Sequence, residues 1–134
     1  MKGAVAAGSP LTVQAGLTAL NLGGNAVDAA IAASLMAGVA EPLLTGLGGA
    51  GMAMIRMNGE VQTCDLFANI PGLDAPDAAP AAMDEITIDF GPTRQSFLIG
   101  CGAAAVPGVP AGLCAMHKEH GLLSLSQLAQ PAAD

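Results

Sequence analysis

The chain has 134 residues, of which 52% are hydrophobic and 11% charged, and its formal net charge is −7 at pH 7. This length fits one domain with a single core. Only four Lys or Arg residues face eleven Asp or Glu residues, which argues against the basic face that nucleic acids require and against binding to an anionic membrane surface.

The first predicted elements are a short strand and a helix. Residues 3–7, GAVAA, form an apolar run that favours a buried strand. Ser9 followed by Pro10 is typical of a helix N-cap with proline at the first helical position. We expect this helix to end at Gly23, because glycine adopts the left-handed backbone of a C-cap at little cost.

A second helix is predicted over residues 26–40, AVDAAIAASLMAGVA. Asn25 is a good N-cap, Asp28 lies near the positive end of the helix dipole, and Pro42 ends the segment. The helix is apolar or small almost all round. A helix without a polar face is expected inside a larger structure.

Two extended runs, residues 52–57 and 60–67, are separated by Asn58-Gly59, which is a strong signal for a β-hairpin. Residues 68–84 are rich in Ala, Pro and Asp and predict a surface loop. A second hairpin is predicted over residues 85–90 and 95–99, followed by a helix from about Ala111 to His120 that Gly121 ends. Ser124 and Gln127 form a capping box for a last short helix, and Pro131 begins a new turn.

The stretch TGLGGAGMAM has glycines at Gly46, Gly48 and Gly51, the G-x-G-x-x-G spacing of a dinucleotide-binding turn. In that motif a strand precedes the turn and a helix follows it, so that the pyrophosphate lies at the helix N-terminus. Here the predicted order is reversed, and no acidic residue follows at the required distance. We therefore expect structural glycines that let the backbone pass close to a neighbouring element.

Three pieces of the chain together resemble the gamma-glutamyltranspeptidase family. They are SPLTVQAGLTALNLGGNAVDAAIAASLMAGVAEP, TGLGGAGMAMI and AVPGVPAGLCAMHKEHGLLSLSQLAQPA, and they occur in the family's order from Gly3 to Ala132. GGNAVDAA and GLGGAG together make the resemblance quite specific.

The resemblance implies an N-terminal nucleophile hydrolase of α/β (α+β) class, with small-residue helices packed on a mostly antiparallel sheet in a four-layer αββα sandwich. It implies that residues 1–134 are the N-terminal segment of a large subunit. The precursor would cleave itself, and the new N-terminal threonine of the small subunit would attack a gamma-glutamyl amide and form an acyl-enzyme. The family uses no cofactor or metal in this part. We expect no nucleophile among the threonines of this chain, which are Thr12, Thr18, Thr45, Thr63, Thr87 and Thr93.

The resemblance also points to three substrate-binding residues, Asp65, Phe67 and Asn69. The family holds the α-carboxylate of the glutamyl group with an arginine in a stretch of the form D-F-R-E-x-A-P, a role that suits a bidentate guanidinium. The corresponding stretch here runs from Asp65 through Asn69 to Pro71, with Phe67 at the position of the arginine. An aromatic ring cannot pair with a carboxylate, so the hypothesis is an acyl group that lacks it. A core phenylalanine is the alternative for Phe67.

Two sets of residues are of types that could bind a metal. Cys114, His117 and His120 lie three residues apart on a predicted helix, with Glu119 between the histidines. The first and last of them lie more than about 100° apart around the helix axis, so they cannot converge on one ion. Acidic residues spaced irregularly around the surface loop predict a solvated face; they are Asp65, Asp74, Asp77, Asp84, Glu85 and Asp89. We expect no metal site.

The three cysteines, Cys64, Cys101 and Cys114, have no paired spacing, which predicts free thiols in a reducing compartment. The N-terminal apolar run is too short for a signal peptide, and the longest apolar run, residues 29–40, is shorter than a membrane span of about 20 residues. A cytoplasmic location is expected.

Two classes of function remain. In the first, the chain supplies part of an autoprocessing amidohydrolase whose partners are the small-subunit portion of the same precursor and a small-molecule amide. In the second, it is a catalytically inactive fragment that self-associates, as a homo-oligomer, or binds a partner through its apolar surface.

Overall fold

The computed structural model describes residues 3–72, 74–75, 77–79 and 81–134, which fall into two units. The first unit extends to Ala68 and resumes with Pro107–Asp134. It contains α1 (Pro10–Asn21), α2 (Ala26–Ala40), β1 (Gly51–Met57), β2 (Glu60–Leu66), α3 (Val109–His120) and α4 (Leu125–Ala133). The second unit, Asn69–Val106, contains β3 (Asp84–Asp89), β4 (Arg94–Ile99) and a 3-10 turn, Cys101–Ala103.

The predicted caps of α1 and α2 are confirmed. The Ser9 hydroxyl accepts a hydrogen bond from the backbone N–H of Leu11 at 3.3 Å, and Gly23 beyond the end of α1 has a φ of +92°. The Asn25 side chain accepts bonds from the first turn of α2, while Asp28 accepts the N–H of Asn25 at 2.9 Å. This reciprocal pair is a capping box, which satisfies donors that the start of a helix leaves free.

Small side chains form the contact between α1 and α2. Ala15, Ala19 and Ala32 are at most 2% exposed. A Cβ placed on Gly16 would lie 3.2 Å from the carbonyl oxygen of Ala29 and 2.9 Å from Val5. Alanine and glycine bury little area each, so the close approach of the two backbones provides the packing that larger side chains supply elsewhere.

Helix α2 is buried on one side only. Ile31 is fully buried, and α2 contacts α1, α3 and α4 within the first unit. Ala26, Ala30 and Val39 nevertheless remain exposed, so the apolar helix is partly uncovered. Among the described residues, no helix is both long enough and apolar enough to cross a membrane.

The hairpin predicted around Asn58-Gly59 is confirmed. β1 and β2 pair antiparallel from Gly51↔Leu66 to Met57↔Glu60. Asn58 and Gly59 have φ values of +52° and +87°, the left-handed backbone that a two-residue hairpin turn requires. Leu66 is buried and β2 contacts α3, whereas Met52 and Met54 on the opposite side of β1 are each 76% exposed.

The second unit is built on the predicted β3–β4 hairpin, which pairs from Asp84↔Ile99 to Asp89↔Arg94. Ile86 and Phe97 are paired on one face, with Thr87 and Ser96 on the other. Every residue of both strands is exposed, and the ring of Phe97 meets Phe90 edge-on at 6.5 Å. A two-stranded hairpin with both faces exposed is marginally stable by itself.

Three predictions of local structure need correction. Residues 3–7 form no strand: they are extended but unpaired, and only Val5 is half-buried, because its side chain packs on Gly16 rather than into a sheet. Helix α3 begins at Val109, two residues earlier than predicted, since Pro110 fits the first turn. Helix α4 continues through Pro131 to Ala133, because the proline removes only one hydrogen bond near the helix end.

Candidate functional site

The candidate substrate-binding position lies directly after β2. The backbone N–H of Phe67 donates to the Asp65 carboxylate at 2.8 Å, while the Phe67 side chain is 62% exposed. Its neighbour Leu66 is only 5% exposed and belongs to the core. Phe67 is therefore not a core residue of the described unit. At the end of β2 the Leu66 side chain is buried, and the Phe67 ring is exposed to solvent.

Helix α3 packs its first turn against this position. A Cβ on Gly108 would overlap the carbonyl oxygens of Leu66 and Phe67, and a Cβ on Gly112 would overlap the side chain of Leu66. The two glycines are four residues apart and therefore share one face of the helix. The AVPGVPAG segment thus brings a helix without side chains on this face into direct contact with the end of β2.

Asn69, the third predicted substrate-binding residue, belongs to the second unit. Its backbone exchanges two hydrogen bonds with that of Val106, at 3.0 and 2.8 Å, in an isolated antiparallel bridge. The structure therefore brings Asp65 and Phe67 together through a hydrogen bond, whereas Asn69 is held by a different contact in a different unit.

The glycine-rich stretch differs from the prediction. A Cβ placed on Gly46, Gly48 or Gly51 would meet nothing within 4 Å, and none of the three has a positive φ. Within the described residues a side chain at these three positions would therefore not be crowded, although the Cα of Gly46 lies 3.5 Å from the place of a Cβ on Gly38 of α2. The order of elements around them, α2 before and β1 after, is the reverse of a dinucleotide-binding turn.

The candidate metal ligands on α3 point to separate partners. His117 Nε2 donates to the carbonyl oxygen of Leu123 at 2.6 Å, and His120 Nε2 donates to Oε1 of Gln62 at 2.9 Å. Cys114 is exposed. Within the residues that the structure describes, no group of three or more His, Cys, Asp or Glu side chains is placed to hold a metal ion.

Sequence reasoning missed one polar network, at the start of α2. Asp28 is fully buried, and besides capping Asn25 it accepts the backbone N–H groups of Leu122 and Leu123 at 3.1 to 3.4 Å. The amide of Asn25 donates to the carbonyl oxygen of His120 at 2.6 Å. The turn between α3 and α4 is thus bound to the cap of α2. The local pattern indicates the cap, but no local signal indicates a partner more than ninety residues away.

The small-residue helix pair, the antiparallel hairpins and the glycine segment of α3 define an α+β chain of the N-terminal nucleophile hydrolase class. The family model described as gamma-glutamyltranspeptidase matches residues 12–134, and the chain belongs to that family. This confirms both the resemblance and the predicted fold class.

Two curated relatives and one solved structure illustrate the range of the family. The chain is 35% identical to the Acylase ACY 1 proenzyme of Pseudomonas sp. (strain V22), covering 98% of this chain and 24% of that protein. It is also 35% identical to the Glutathione hydrolase proenzyme 2 of Schizosaccharomyces pombe, covering 97% of this chain and 20% of the relative. The crystal structure of Helicobacter pylori gamma-glutamyltranspeptidase superposes with a TM-score of 0.75 at 33% identity, covering 98% of this chain and 37% of that one. The chain thus spans about a quarter or less of these curated relatives.

Proposed function

We propose that residues 1–134 form the N-terminal segment of the large subunit of an autoprocessing amidohydrolase. Its nucleophile would be the N-terminal threonine of a small-subunit portion, which attacks an amide and forms an acyl-enzyme. Two observations support the assignment of the nucleophile to the small subunit and not to this chain. Both curated relatives described above are named proenzymes, and two threonines of this chain have structural partners, Glu41 for Thr12 at 3.1 Å and the carbonyl oxygen of Gln14 for Thr18 at 2.8 Å.

The observation that carries the substrate proposal is the exposed aromatic ring at the position of the family's carboxylate-binding arginine. Phe67 offers apolar surface and no donor, so it favours an acyl chain without an α-carboxylate. The similarity to one relative named an acylase and to another named a glutathione hydrolase, at equal identity, is compatible with either acyl group. The difference at position 67 supports an acyl group that lacks the α-carboxylate.

Exposed apolar surface in the first unit supports a companion chain. Leu43 is 97% exposed and Leu44 84%, next to the uncovered glycines, and Met52 and Met54 follow on β1. Beside the exposed face of α2 lies an open apolar groove of 480 Å³. Exposed apolar surface of this extent is typical of an interaction site. We propose that the small-subunit portion covers it.

The same surface supports the second candidate, a catalytically inactive module that self-associates or binds another protein. The two candidates differ in whether a chain with an N-terminal threonine is present. For both candidates we propose a cytoplasmic location, which the free thiols of Cys64, Cys101 and Cys114 favour.

The test has two arms. Intact mass and N-terminal sequencing of the gene product, isolated from its source with any co-purifying chain, should reveal a polypeptide that begins with threonine. The isolated protein should then cleave γ-aminobutyryl anilide with a higher kcat/KM than γ-glutamyl anilide, from which it differs only in lacking the α-carboxylate.

The variant Phe67→Arg should raise kcat/KM for γ-glutamyl anilide by about 10- to 100-fold, which corresponds to one hydrogen bond between charged groups.

Two results would contradict this proposal. A single species without a companion chain would favour the inactive module. Efficient γ-glutamyl anilide cleavage by the unsubstituted protein, with saturation in the micromolar range, would show that Phe67 does not exclude the carboxylate. Phe67→Leu is the matched control, since it changes the side chain without adding a donor and should leave the preference between the two anilides unchanged.

A further inference from the structure

Residue 67 is held from two sides by groups that do not depend on its own side chain. The Asp65 carboxylate accepts the Phe67 N–H at 2.8 Å, and this contact lies at the surface. On the other side, the α-carbon of Gly108 lies so close to the Leu66 and Phe67 carbonyls that a Cβ would come within 2.6 Å of the Leu66 oxygen and would overlap the Phe67 oxygen. The backbone at position 67 therefore has a hydrogen-bond acceptor at its N–H and the backbone of Gly108 packed against its C=O.

The contact at Gly108 involves backbone atoms, and this sets it apart from the contact at Gly112. A Cβ on Gly112 would meet the side chain of Leu66, at its Cγ, Cδ2 and Cβ atoms, and no backbone atom of Leu66 or Phe67 is among its three nearest contacts. A Cβ on Gly108 can be accommodated only if the chain of Leu66 and Phe67 moves or if α3 moves away. A displacement of either kind changes the direction in which the side chain at position 67 projects.

We propose that Gly108 is a positioning residue for position 67. Because Gly108 has no side chain, the first turn of α3 can lie against the end of β2. This contact and the Asp65 hydrogen bond together orient the side chain of residue 67, which selects the acyl group in the proposed function. The catalytic consequence rests on the proposed function, whereas the geometric role of Gly108 does not.

The geometric role can be tested without activity, because the chain contains no tryptophan. Phe67→Trp, at a position that is 62% exposed, provides a single fluorophore in the full 134-residue chain. Gly108→Ala in this background should shift the emission maximum of the introduced indole and change its near-UV circular dichroism and its quenching by acrylamide. Gly48→Ala, where a Cβ meets nothing within 4 Å, should leave all three signals unchanged.

The variant Gly112→Ala distinguishes a change in the orientation of residue 67 from a general loss of stability. It should lower the stability of the chain, because it crowds Leu66, but it should change the three indole signals much less than Gly108→Ala does. If Gly108→Ala does not fold, Asp65→Ala replaces it. That substitution removes an exposed acceptor, so the chain should keep its far-UV circular dichroism while the indole signals change.

Indole signals that stay constant in folded Gly108→Ala, or in Asp65→Ala where it replaces that variant, would overturn the inference, as would equal changes with Gly112→Ala. In the active protein with phenylalanine at position 67, Gly108→Ala should alter the ratio of kcat/KM values for the two anilides by about tenfold or more, since small misplacements at a site have large effects on rate. Altered indole signals with no anilide cleavage by any variant would support the positioning role and contradict the proposed function.

Discussion

Two glycine-rich stretches of the first unit differ in what surrounds them. At the start of α2, a Cβ on Gly24 would lie 2.8 Å from the Ala19 carbonyl oxygen and 2.9 Å from both Asp28 and Leu123, and the preceding Gly23 has a positive φ. In the stretch from Gly46 to Gly51, three of the four glycines meet nothing and no φ is positive. The first stretch is explained by the chain's own contacts, and the second is not.

The surroundings of a glycine motif show whether the fold of its own chain requires it. Where backbone and buried side chains crowd a glycine, the motif serves the fold of the chain that carries it. Where nothing crowds it and the neighbouring leucines are exposed, the contacts of the described residues do not explain the motif. Under the proposed function, the small-subunit portion would supply the missing contacts to the stretch from Gly46 to Gly51, whereas the stretch before α2 needs none.

The largest effect is expected at the buried carboxylate of the first stretch. Asp28→Ala leaves the buried N–H groups of Leu122 and Leu123 without an acceptor and removes half of a capping box. We expect a loss of about 3 kcal/mol or more in the free energy of unfolding, measured by urea denaturation. Glu119→Ala, at a surface position on α3, is the control and should change it by less than about 0.5 kcal/mol. Similar losses for the two variants would contradict the internal role of this stretch.

A direct comparison of the two stretches uses the same substitution in each. Gly24→Ala forces a methyl group against the Ala19 carbonyl oxygen and should destabilise the chain by about 1–3 kcal/mol. Gly48→Ala adds a methyl group to open space and reduces the freedom of the unfolded chain, so its effect should lie between no change and a stabilisation of about 1 kcal/mol. Thermal and urea unfolding measure both. Equal losses would mean that the contacts around Gly48 differ from those described.

The smallest effect on stability is expected at the leucines of the second stretch. Leu44→Ser removes an 84%-exposed side chain and should change the free energy of unfolding by less than about 0.5 kcal/mol. It should nevertheless weaken self-association of the isolated chain, measured by light scattering over a range of concentrations. Leu22→Ser, 53% exposed but outside this stretch, is the control and should leave association unchanged. Identical association of both variants with the unsubstituted chain would remove the leucines from the interface.

Short-range chemistry made most of the fold predictable. The caps at Ser9, Asn25 and Ser124 depend on residues three positions away or fewer, and the hairpin turn at Asn58-Gly59 depends on two residues that tolerate positive φ. The predictions that were wrong depend on contacts with distant parts of the chain. Residues 3–7 are apolar enough for a strand, but a strand also needs a pairing partner, which the local sequence does not specify.

The resemblance assigns a residue to the candidate site, but the sequence does not predict what surrounds that residue. The D-x-x-x-x-x-P spacing gives Phe67 the position of the family's arginine, and in the structure Phe67 directly follows β2. That its ring is exposed, and that Gly108 lies against its carbonyl oxygen, follow from the docking of α3, a segment some forty residues further along the chain. The role of Phe67 in binding a substrate stays a prediction.

The bonds from Asn25 and Asp28 to the turn after α3 have a consequence for how the chain folds. They join residues 94 and 95 positions apart, so α2 emerges during synthesis with its buried carboxylate still lacking two of its donors. Closing so long a loop is slow compared with forming a helix. Until residues 120–123 have been synthesised, the α1–α2 pair lacks these bonds and exposes apolar surface, which favours aggregation of the nascent chain.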